Sequence, residues 1–330
     1  MMGRIAVTDG MDETAVNHLQ EKGHEIVLKH YSTDELESGV LSEFDAVVIR
    51  SATKLTEKVI KNSSGKNGKL RLIGRAGVGI DNIDLAFATK NKVAVCNTPG
   101  ASTHAVVELT IGHLLACARH ITTGDRTLRE GKWEKKQLRG TELSGKRLGL
   151  IGFGRIAQGV GRAARSLGMT LHTYDPYLRA EVAADKHCQL HDEIDEVFRL
   201  CTHISIHCNL TAETHHLVNA ERMKMMPGIG IDNVPCGNHI VNCARGGIVD
   251  EVALLEALES GIVASAALDV FEEEPALDNP IVHHKNFHGT PHIGAATIEA
   301  QSRIGEEMAA LLVDFLDGRK PKSMLNPEIF

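Results

Sequence analysis

The sequence predicts an α/β protein that is built from parallel sheets in two domains. Short apolar runs alternate with amphipathic helical segments along most of the 330 residues, and this alternation is typical of parallel βαβ units. One apolar run, residues 148–151, is followed by Gly152-Phe153-Gly154 and then by helical spacing to residue 167. A chain of this length can form two domains, each with its own hydrophobic core.

The predicted strands are short apolar runs that are bounded by polar segments. They comprise residues 5–8, 25–28, 46–49, 70–73 and 93–96, and later residues 148–151, 170–174, 203–207, 240–242 and 264–270. Asn97-Thr98-Pro99-Gly100 interrupts the alternation and indicates a crossover.

The main predicted helices follow that crossover. They comprise residues 102–120 with further helix to 130, and then 155–167, 192–200, 220–226, 251–260 and 297–316. Asp250 can cap the helix that begins at residue 251, and Gly261 suits its end. The last helix is long enough to return to the first domain.

The glycine turn after the strand at 148–151 matches the dinucleotide-binding pattern G-x-G-x-x-G/A. Gly152 allows the tight turn, Gly154 lets the backbone approach a pyrophosphate, and Ala157 lets helix and strand pack closely. Asp175 ends the next strand, where an acid binds the ribose hydroxyls. Its carboxylate repels a 2′-phosphate and favours NAD over NADP, although Arg179 lies nearby. The alternative is a glycine turn in another kind of α/β protein.

Composition excludes several classes of protein. The chain is 42% hydrophobic and 24% charged, an ordinary globular balance. Its net charge of −7 argues against a general nucleic-acid surface, although a local basic pocket is compatible with it. No run reaches transmembrane length, and the N-terminus leads almost directly into a strand, so we expect neither membrane attachment nor a targeting peptide. Seven scattered cysteines without C-x-x-C spacing indicate a reducing, cytoplasmic setting.

Three cations lie at the predicted ends of neighbouring strands. They are Arg50 and Lys54 in one segment and Arg75, shortly before Gly77, in the next. Ligands of parallel sheets collect beyond the carboxyl ends of the strands, and the planar fork of arginine suits carboxylate and phosphate. These residues therefore predict a site for a small anion. The alternative for each is solvated surface charge.

A basic aromatic arm, residues 131–136, contains the only tryptophan, Trp133, beside Lys135 and Lys136. A lone tryptophan is typical of a packing or partner contact. The alternative is ordinary surface.

Three later residues suggest a reaction. Arg245 follows a strand and precedes two glycines, which leaves it free to face a cleft and bind a carboxylate. Glu274 ends an acidic run, and His292 lies in a Pro-His-Ile-Gly segment. The alternatives are a salt bridge at the domain edge for Arg245, a solvated loop for Glu274 and a structural role for His292. A metal site with neighbouring histidines is disfavoured because no Cys or Asp cluster supports it.

Together these three residues form a coherent set. Oxidation of a 2-hydroxy acid needs a base for the hydroxyl proton, a cation for the carboxylate and a nicotinamide to accept the hydride. His292, Arg245 and NAD fill these roles, and Glu274 beside the base would hold its tautomer.

The residues named so far carry a resemblance to a known family, the D-2-hydroxyacid dehydrogenases, and within it to the phosphoglycerate dehydrogenase branch. The resemblance extends from about residue 5 to the C-terminus. Its most specific segments are RSATK at 50–54, GRAGVGIDNID at 74–84, GKWEKK at 131–136 with GTEL at 140–143, NCARGGIVDE at 242–251, DVFEEEP at 269–275 and TPHIGAA at 290–296.

The resemblance implies two Rossmann-like domains with a substrate cleft between them. A flavodoxin-like substrate-binding domain would comprise residues 1–98 and 291–330, and an inserted NAD-binding domain residues 99–290. A homodimer would form through the helix at 102–120 and the arm at 124–139. In that branch the chain would oxidise 3-phosphoglycerate, and it would lack the C-terminal regulatory domains of longer members.

The resemblance also implies roles for individual residues. Arg245 would bind the substrate carboxylate, His292 would act as the acid/base and Glu274 as its partner. Cofactor contacts would come from Val78, Gly152, Gly154, Arg155, Ile156, Asp175, Cys208, Cys243, Ala244, Asp269 and Gly294. Substrate contacts would come from Arg50, Lys54, Arg75, Gly77, Lys135, Arg245 and His292, with Lys136 as an alternative to Lys135.

The chain departs from the family pattern at three places. Val78 and Cys208 stand where relatives often have threonine, and the lost hydroxyl contacts predict weaker NAD binding. The segment 228–238 is several residues longer than the usual turn before the strand that leads to Arg245. We expect it to be a surface loop. Otherwise the register of that strand would change.

Two other functions remain compatible with the sequence. A glyoxylate or hydroxypyruvate reductase would use the same catalytic set without recognising a phosphate. An NAD-sensing corepressor of the same fold would act by binding partners, but the basic pocket and the lack of disordered tails argue against it.

Overall fold

The computed structural model describes residues 2–330 and divides the chain into two compact units. The discontinuous unit comprises the chain up to Ser102 together with Ala295–Phe330, and the continuous unit comprises Thr103–Gly294. These boundaries differ from the expected 98/99 and 290/291. The long helix of the continuous unit begins only at Thr103, and Gly294 is still hydrogen-bonded to Asp269 within that unit.

Twelve strands and twelve α-helices are present in residues 2–330. The strands are β1 Arg4–Val7, β2 Glu25–Leu28, β3 Ala46–Ile49, β4 Leu72–Arg75, β5 Ala94–Asn97, β6 Arg147–Ile151, β7 Thr170–Tyr174, β8 Cys188–Leu190, β9 His203–Ile206, β10 His239–Asn242, β11 Ser265–Leu268 and β12 Phe287–Gly289. The helices are α1 Glu13–Glu21, α2 Thr33–Glu37, α3 Glu57–Ser63, α4 Leu85–Lys90, α5 Thr103–Arg119, α6 Ile121–Arg129, α7 Arg155–Ser166, α8 Ala180–Asp185, α9 Ile194–Leu200, α10 Ala220–Met225, α11 Glu251–Glu259 and α12 Ile298–Leu316.

The discontinuous unit contains a five-stranded parallel sheet in the order β2-β1-β3-β4-β5. This flavodoxin-like order confirms the predicted fold of the unit. Helices cover both faces: Ile5 and Val7 of β1 lie in a core with α1 and α12, whereas Ala6 lies in a second core with α3. Strands buried on both faces read as continuous apolar runs, which is why the sequence located them.

The continuous unit contains a seven-stranded parallel sheet in the order β12-β11-β10-β9-β6-β7-β8. Counted from β6, this is the doubly wound nucleotide-binding order with one strand added at the end. Leu150 packs on one face with Leu114 of α5, and Ile151 packs on the other with Leu254 of α11. The order reverses between β6 and β9, and ligands of such sheets bind at that point.

Most predicted elements are confirmed to within a few residues, but two strands were missed. Strands β8 and β12 have three residues each and lie at the two edges of the larger sheet, and such short runs carry no periodicity. The predicted strand at 264–270 is shorter, Ser265–Leu268. Asp250 caps α11 as expected and accepts a hydrogen bond from the Ala253 N–H at 3.0 Å. Within residues 2–330, no helix has the length and apolar character needed to span a bilayer.

Candidate active site

The glycine turn between β6 and α7 has the geometry that a dinucleotide requires. Gly152 has a φ of +87°, and a Cβ at this position would lie 2.9 Å from the His207 carbonyl oxygen. A Cβ on Gly154 would meet no atom within 4 Å, so the backbone here is open to close approach. Gly154 is also the N-cap of α7 and provides no side-chain cap. The first amides of the helix can therefore bind an anionic pyrophosphate.

Asp175, at the end of β7, is held beside the glycine turn. Its carboxylate accepts hydrogen bonds from the Phe153 N–H at 2.9 Å and from the Tyr177 N–H at 3.0 Å. Each oxygen keeps a further lone pair that can accept a ribose hydroxyl. Arg155 and Ile156 are the first two residues of α7. These residues fit NAD, as the sequence predicted.

Two thiols lie on the same edge of the sheet. Cys208 follows β9, and Cys243 follows β10 with Ala244 next to it. Burial raises the pKa of Cys208 to about 11 and that of Cys243 to about 12. Both thiols are therefore protonated at neutral pH and behave as small apolar side chains.

Arg245 projects from a turn that its neighbours fix tightly. The buried Asn242 side chain accepts from the Ala244 N–H at 2.9 Å and donates to the Arg245 carbonyl at 2.8 Å. Gly246 is required because a Cβ there would lie 1.8 Å from the Phe271 carbonyl oxygen. The turn therefore lies directly against the segment that leads to Glu274.

His292 and Glu274 form a pair in the same unit as Arg245. Nδ1 of His292 lies 2.8 Å from Oε2 of Glu274, and both side chains are about one-third exposed. Burial raises the pKa of Glu274, but the hydrogen bond and charge of His292, with the charge of Arg245, outweigh burial and hold this pKa below its ordinary value. The structure thus brings together the three candidate catalytic residues that the sequence selected.

The His292 loop is anchored by Asp269, which is fully buried. Its carboxylate accepts hydrogen bonds from the Thr290 hydroxyl at 2.6 Å, the Ile293 N–H at 2.8 Å and the Gly294 N–H at 2.8 Å. His292 has a φ of +54°, an uncommon conformation for a residue with a Cβ. Its N–H donates to the Asp269 carbonyl at 2.8 Å. Asp269, proposed from the sequence as a cofactor contact, therefore also positions His292.

In the discontinuous unit, Arg50 and Lys54 lie on a loop after β3. The carboxylate of Asp9 accepts from the Arg50 N–H at 2.7 Å and from the Thr53 hydroxyl at 2.7 Å. Asn82 donates to the carbonyls of Arg50 and Thr53, at 2.7 Å each. The side chain of Arg50 is half-buried and that of Lys54 is exposed. Neither Asp9 nor Asn82 was predicted from the sequence, although Asp9 also follows a strand end.

Arg75, the last residue of β4, is buried and folds back over Gly77. Its Nη1 donates to the Ala76 carbonyl at 2.8 Å, and its Nη2 donates to the Ser51 hydroxyl at 3.1 Å. Gly77 has a φ of +151°, and a Cβ there would lie 1.9 Å from Nη1 of Arg75. Only glycine leaves room for this arrangement. Val78 follows and is 36% exposed.

The arm after α6 is an exposed segment of the continuous unit. Trp133 is 83% exposed, and Lys135 and Lys136 are also exposed. Within residues 2–330, no group of three or more His, Cys, Asp or Glu side chains is arranged to hold a metal ion.

Comparison with known proteins agrees with this geometry. Residues 111–294 match the model of the D-isomer specific 2-hydroxyacid dehydrogenase, NAD binding domain. The D-3-phosphoglycerate dehydrogenase of Methanocaldococcus jannaschii is 42% identical over 98% of this chain, which spans 60% of that relative's length. The hydroxypyruvate reductase of Thermotoga maritima is 45% identical over 92% of this chain and 95% of its own length.

A solved structure shows the same fold. The D-lactate dehydrogenase of Aquifex aeolicus, complexed with NAD and lactic acid, is 26% identical, with a TM-score of 0.84 over 98% of this chain and 99% of that one. The cofactor of the continuous unit is NAD, as its match to the NAD-binding domain indicates. The matched model, the relatives and the fold agree, and the chain belongs to the D-isomer specific 2-hydroxyacid dehydrogenase family.

Proposed function

We propose that the chain is an NAD-dependent dehydrogenase that oxidises 3-phospho-D-glycerate to 3-phosphohydroxypyruvate, the first step of the phosphorylated route to serine in the cytoplasm. The observation that carries the proposal is the 2.8 Å pair of His292 and Glu274, with Arg245 acting on the same carboxylate. The M. jannaschii relative supports the substrate, since it is a D-3-phosphoglycerate dehydrogenase.

His292 acts as the acid/base in this proposal. Because its Nδ1 lies against the Glu274 carboxylate, Nδ1 carries the hydrogen and Nε2 presents a lone pair. Nε2 therefore accepts the proton of the substrate hydroxyl during oxidation and returns it during reduction. Glu274 keeps this tautomer and stabilises the imidazolium that forms. Bound NAD supplies the hydride acceptor.

Arg245 binds and orients the substrate carboxylate. A guanidinium can donate two parallel hydrogen bonds to a carboxylate, which fixes the neighbouring carbon relative to His292. The Asn242 bonds and the close approach at Gly246 hold the backbone of Arg245 in place. Arg245 is therefore expected to contribute to turnover as well as to binding.

Recognition of the phosphate is assigned to the discontinuous unit. Arg50 and Lys54 follow β3, and Arg75 is the last residue of the adjacent strand β4, where Gly77 leaves room for its side chain. The residues Arg155, Ile156, Cys208, Cys243, Ala244, Gly294 and Val78 are proposed to line the cofactor site.

A homodimer is proposed through α5 and residues 124–139, with Lys135 or Lys136 reaching the partner's substrate. The exposed side chains of Trp133 and Leu128, at 83% and 58%, support a contact at this arm. Light scattering should give a dimer for the native chain and a smaller particle for Trp133→Glu. A monomeric native chain would exclude this arrangement.

Hydroxypyruvate reduction is the second candidate activity. It is favoured by the T. maritima relative, whose length the chain matches almost completely. The two activities share His292, Glu274 and Arg245 and differ only in whether a phosphate is recognised.

The test is NADH oxidation by the purified chain with 3-phosphohydroxypyruvate, hydroxypyruvate, glyoxylate and 2-oxoglutarate. A strong preference for the phosphorylated substrate is expected. Equal or better turnover of the unphosphorylated acids would show that 3-phosphohydroxypyruvate is not the preferred substrate. The proposed roles of His292, Glu274 and Arg245 would still stand. If no acid is turned over while NADH binds, the dehydrogenase proposal is wrong.

A further inference from the structure

A groove with a basic lining runs along the continuous unit and shares only Phe153 with the glycine turn described above. It consists of two cavities of about 250 Å³ and about 410 Å³. Arg165, Leu171 and His187 line both cavities, so the two lie side by side. None of the three candidate catalytic residues lines either cavity.

Four cations surround this groove: Arg147, Arg162, Arg165 and Lys186. Arg147 begins β6, and Arg162 and Arg165 lie three residues apart on α7, a spacing that puts them on one face of the helix. Within residues 2–330, none of the four side chains forms an ion pair.

The charge of the groove is unusual for this chain. The whole protein has a net charge of −7, whereas the groove has four cations and one carboxylate, Asp185. Arg165 lies in the last turn of α7, where the helix dipole favours a cation. That effect does not account for Arg147 or Arg162. Like charges held at one groove repel each other and attract an anion.

One wall of the groove comes from the long segment 228–238, through Ile231. The segment is firmly attached: Asp232 pairs at 2.6 Å with Lys146, whose side chain is only 2% exposed. The Ile231 N–H also donates to the Gly145 carbonyl at 3.1 Å. The sequence already marks this segment as longer than the usual family turn. The groove is therefore built in part from this long segment.

We propose that this groove binds a small organic di- or triphosphate at a site separate from the NAD and substrate sites. Arginine forks bind phosphate oxygens in pairs, and Arg147, Arg162 and Arg165 supply three such forks. Phe153, Met169 and Leu171 give the groove an apolar floor that suits the non-phosphate part of the ligand. The combined volume of the two cavities is larger than a single phosphate ion requires, which favours a larger ligand.

The test is calorimetric titration of the whole chain with ATP and with pyrophosphate, each in the presence of saturating NADH. NADH occupies the glycine turn, so any remaining binding reports a separate site. The double variant Arg162→Ala/Arg165→Ala should weaken binding by about tenfold or more, because it removes charge-assisted hydrogen bonds. Lys224→Ala, which removes an exposed cation on α10 of the same unit, should leave binding unchanged.

The unfolding temperature of each unliganded variant shows whether it has folded. Arg162 and Arg165 are exposed, so both variants should fold normally. The variant Arg162→Lys/Arg165→Lys keeps the charge without the forks and should bind with intermediate affinity. Absence of binding to the native chain, its loss on adding NADH, or equal binding by native chain and double alanine variant would overturn the proposal. The dehydrogenase reaction is measured separately and does not depend on this result.

Discussion

Each unit of the molecule has an aspartate just after a strand whose covered side chain holds a loop. In the discontinuous unit, Asp9 follows β1 and bonds to the loop that carries Arg50 and Lys54. In the continuous unit, Asp269 follows β11 and bonds to the loop that carries His292. The two aspartates anchor their loops in the same way. The loop held by Asp9 carries the permanent charges of Arg50 and Lys54, whereas the loop held by Asp269 carries His292, which can exchange a proton. On the proposed function, the loop of the discontinuous unit would recognise the substrate phosphate, and the loop of the continuous unit would transfer the proton.

The largest effect is expected from His292→Ala. Loss of the acid/base should lower turnover by about 10²- to 10⁴-fold, while NADH affinity stays close to the native value. Steady-state kinetics and fluorescence titration measure the two quantities. His283→Ala, which removes an exposed histidine of the same unit, is the control. Native turnover in the His292 variant would remove this residue from the mechanism.

A smaller loss of turnover is expected from Asp269→Asn. The amide keeps the shape of the side chain but has one acceptor oxygen where the carboxylate has two, so the Gly294 or Ile293 bond is lost. A misplaced His292 should lower kcat by about 10²-fold, with little change in KM. Thr290→Ser, which keeps the donor to Asp269, should retain activity. An Asp269→Asn variant with raised KM and native kcat would show that Asp269 acts in binding instead.

The Asp9→Asn variant is expected to show a smaller effect than Asp269→Asn, and on KM instead of kcat. The loop after β3 should lose part of its anchor, and KM for 3-phosphohydroxypyruvate should rise by about tenfold, with kcat nearly unchanged. Asp12→Asn is the control, since Asp12 only caps α1 of the same unit. A fall in kcat that equals the rise in KM would contradict the division between the two units.

Low pH should destabilise the continuous unit more than the discontinuous unit. In the continuous unit, burial lowers the pKa of His172, His239 and His288 to about 4, and proximity to other charges adds to the effect in His172 and His288. In the discontinuous unit, burial lowers the pKa of His24. Such histidines stay neutral when folded but take up protons near pH 6.5 when unfolded.

The stability from these histidines is therefore complete above about pH 6.5 and is lost as pH falls toward 4. Hydrogen exchange at pH 7 and pH 5 should show protection lost first in the strands of the continuous unit. Earlier loss of protection in the discontinuous unit would contradict this expectation.

The sequence predicted the fold well because both sheets are parallel and buried on both faces. The central strands β1, β3 and β6 are buried and read as largely apolar runs, and the glycine turn directly follows β6. Strands β8 and β12 were not predicted, because a strand of three residues at a sheet edge is too short to show a hydrophobic pattern.

The candidate site was predictable in a different way. Arg245, Glu274 and His292 stand in specific local motifs, so the sequence identified them and the structure brings them together. The supporting residues Asp9, Asn82 and Thr290 were missed because their partners are distant in the chain. Asp9, for example, bonds to a residue 41 positions away. The spacing of residues within a local motif does not reveal contacts between residues so far apart in the chain.

The most direct test of the division between binding and chemistry is the ratio of kcat/KM for 3-phosphohydroxypyruvate to that for hydroxypyruvate, in the native chain and in Arg50→Ala. We predict a high ratio in the native chain and a fall of about tenfold or more in the variant, because one charge-assisted bond to phosphate is lost. The kcat for hydroxypyruvate should not change. An unchanged ratio, or an equal loss of kcat with both substrates, would contradict the account.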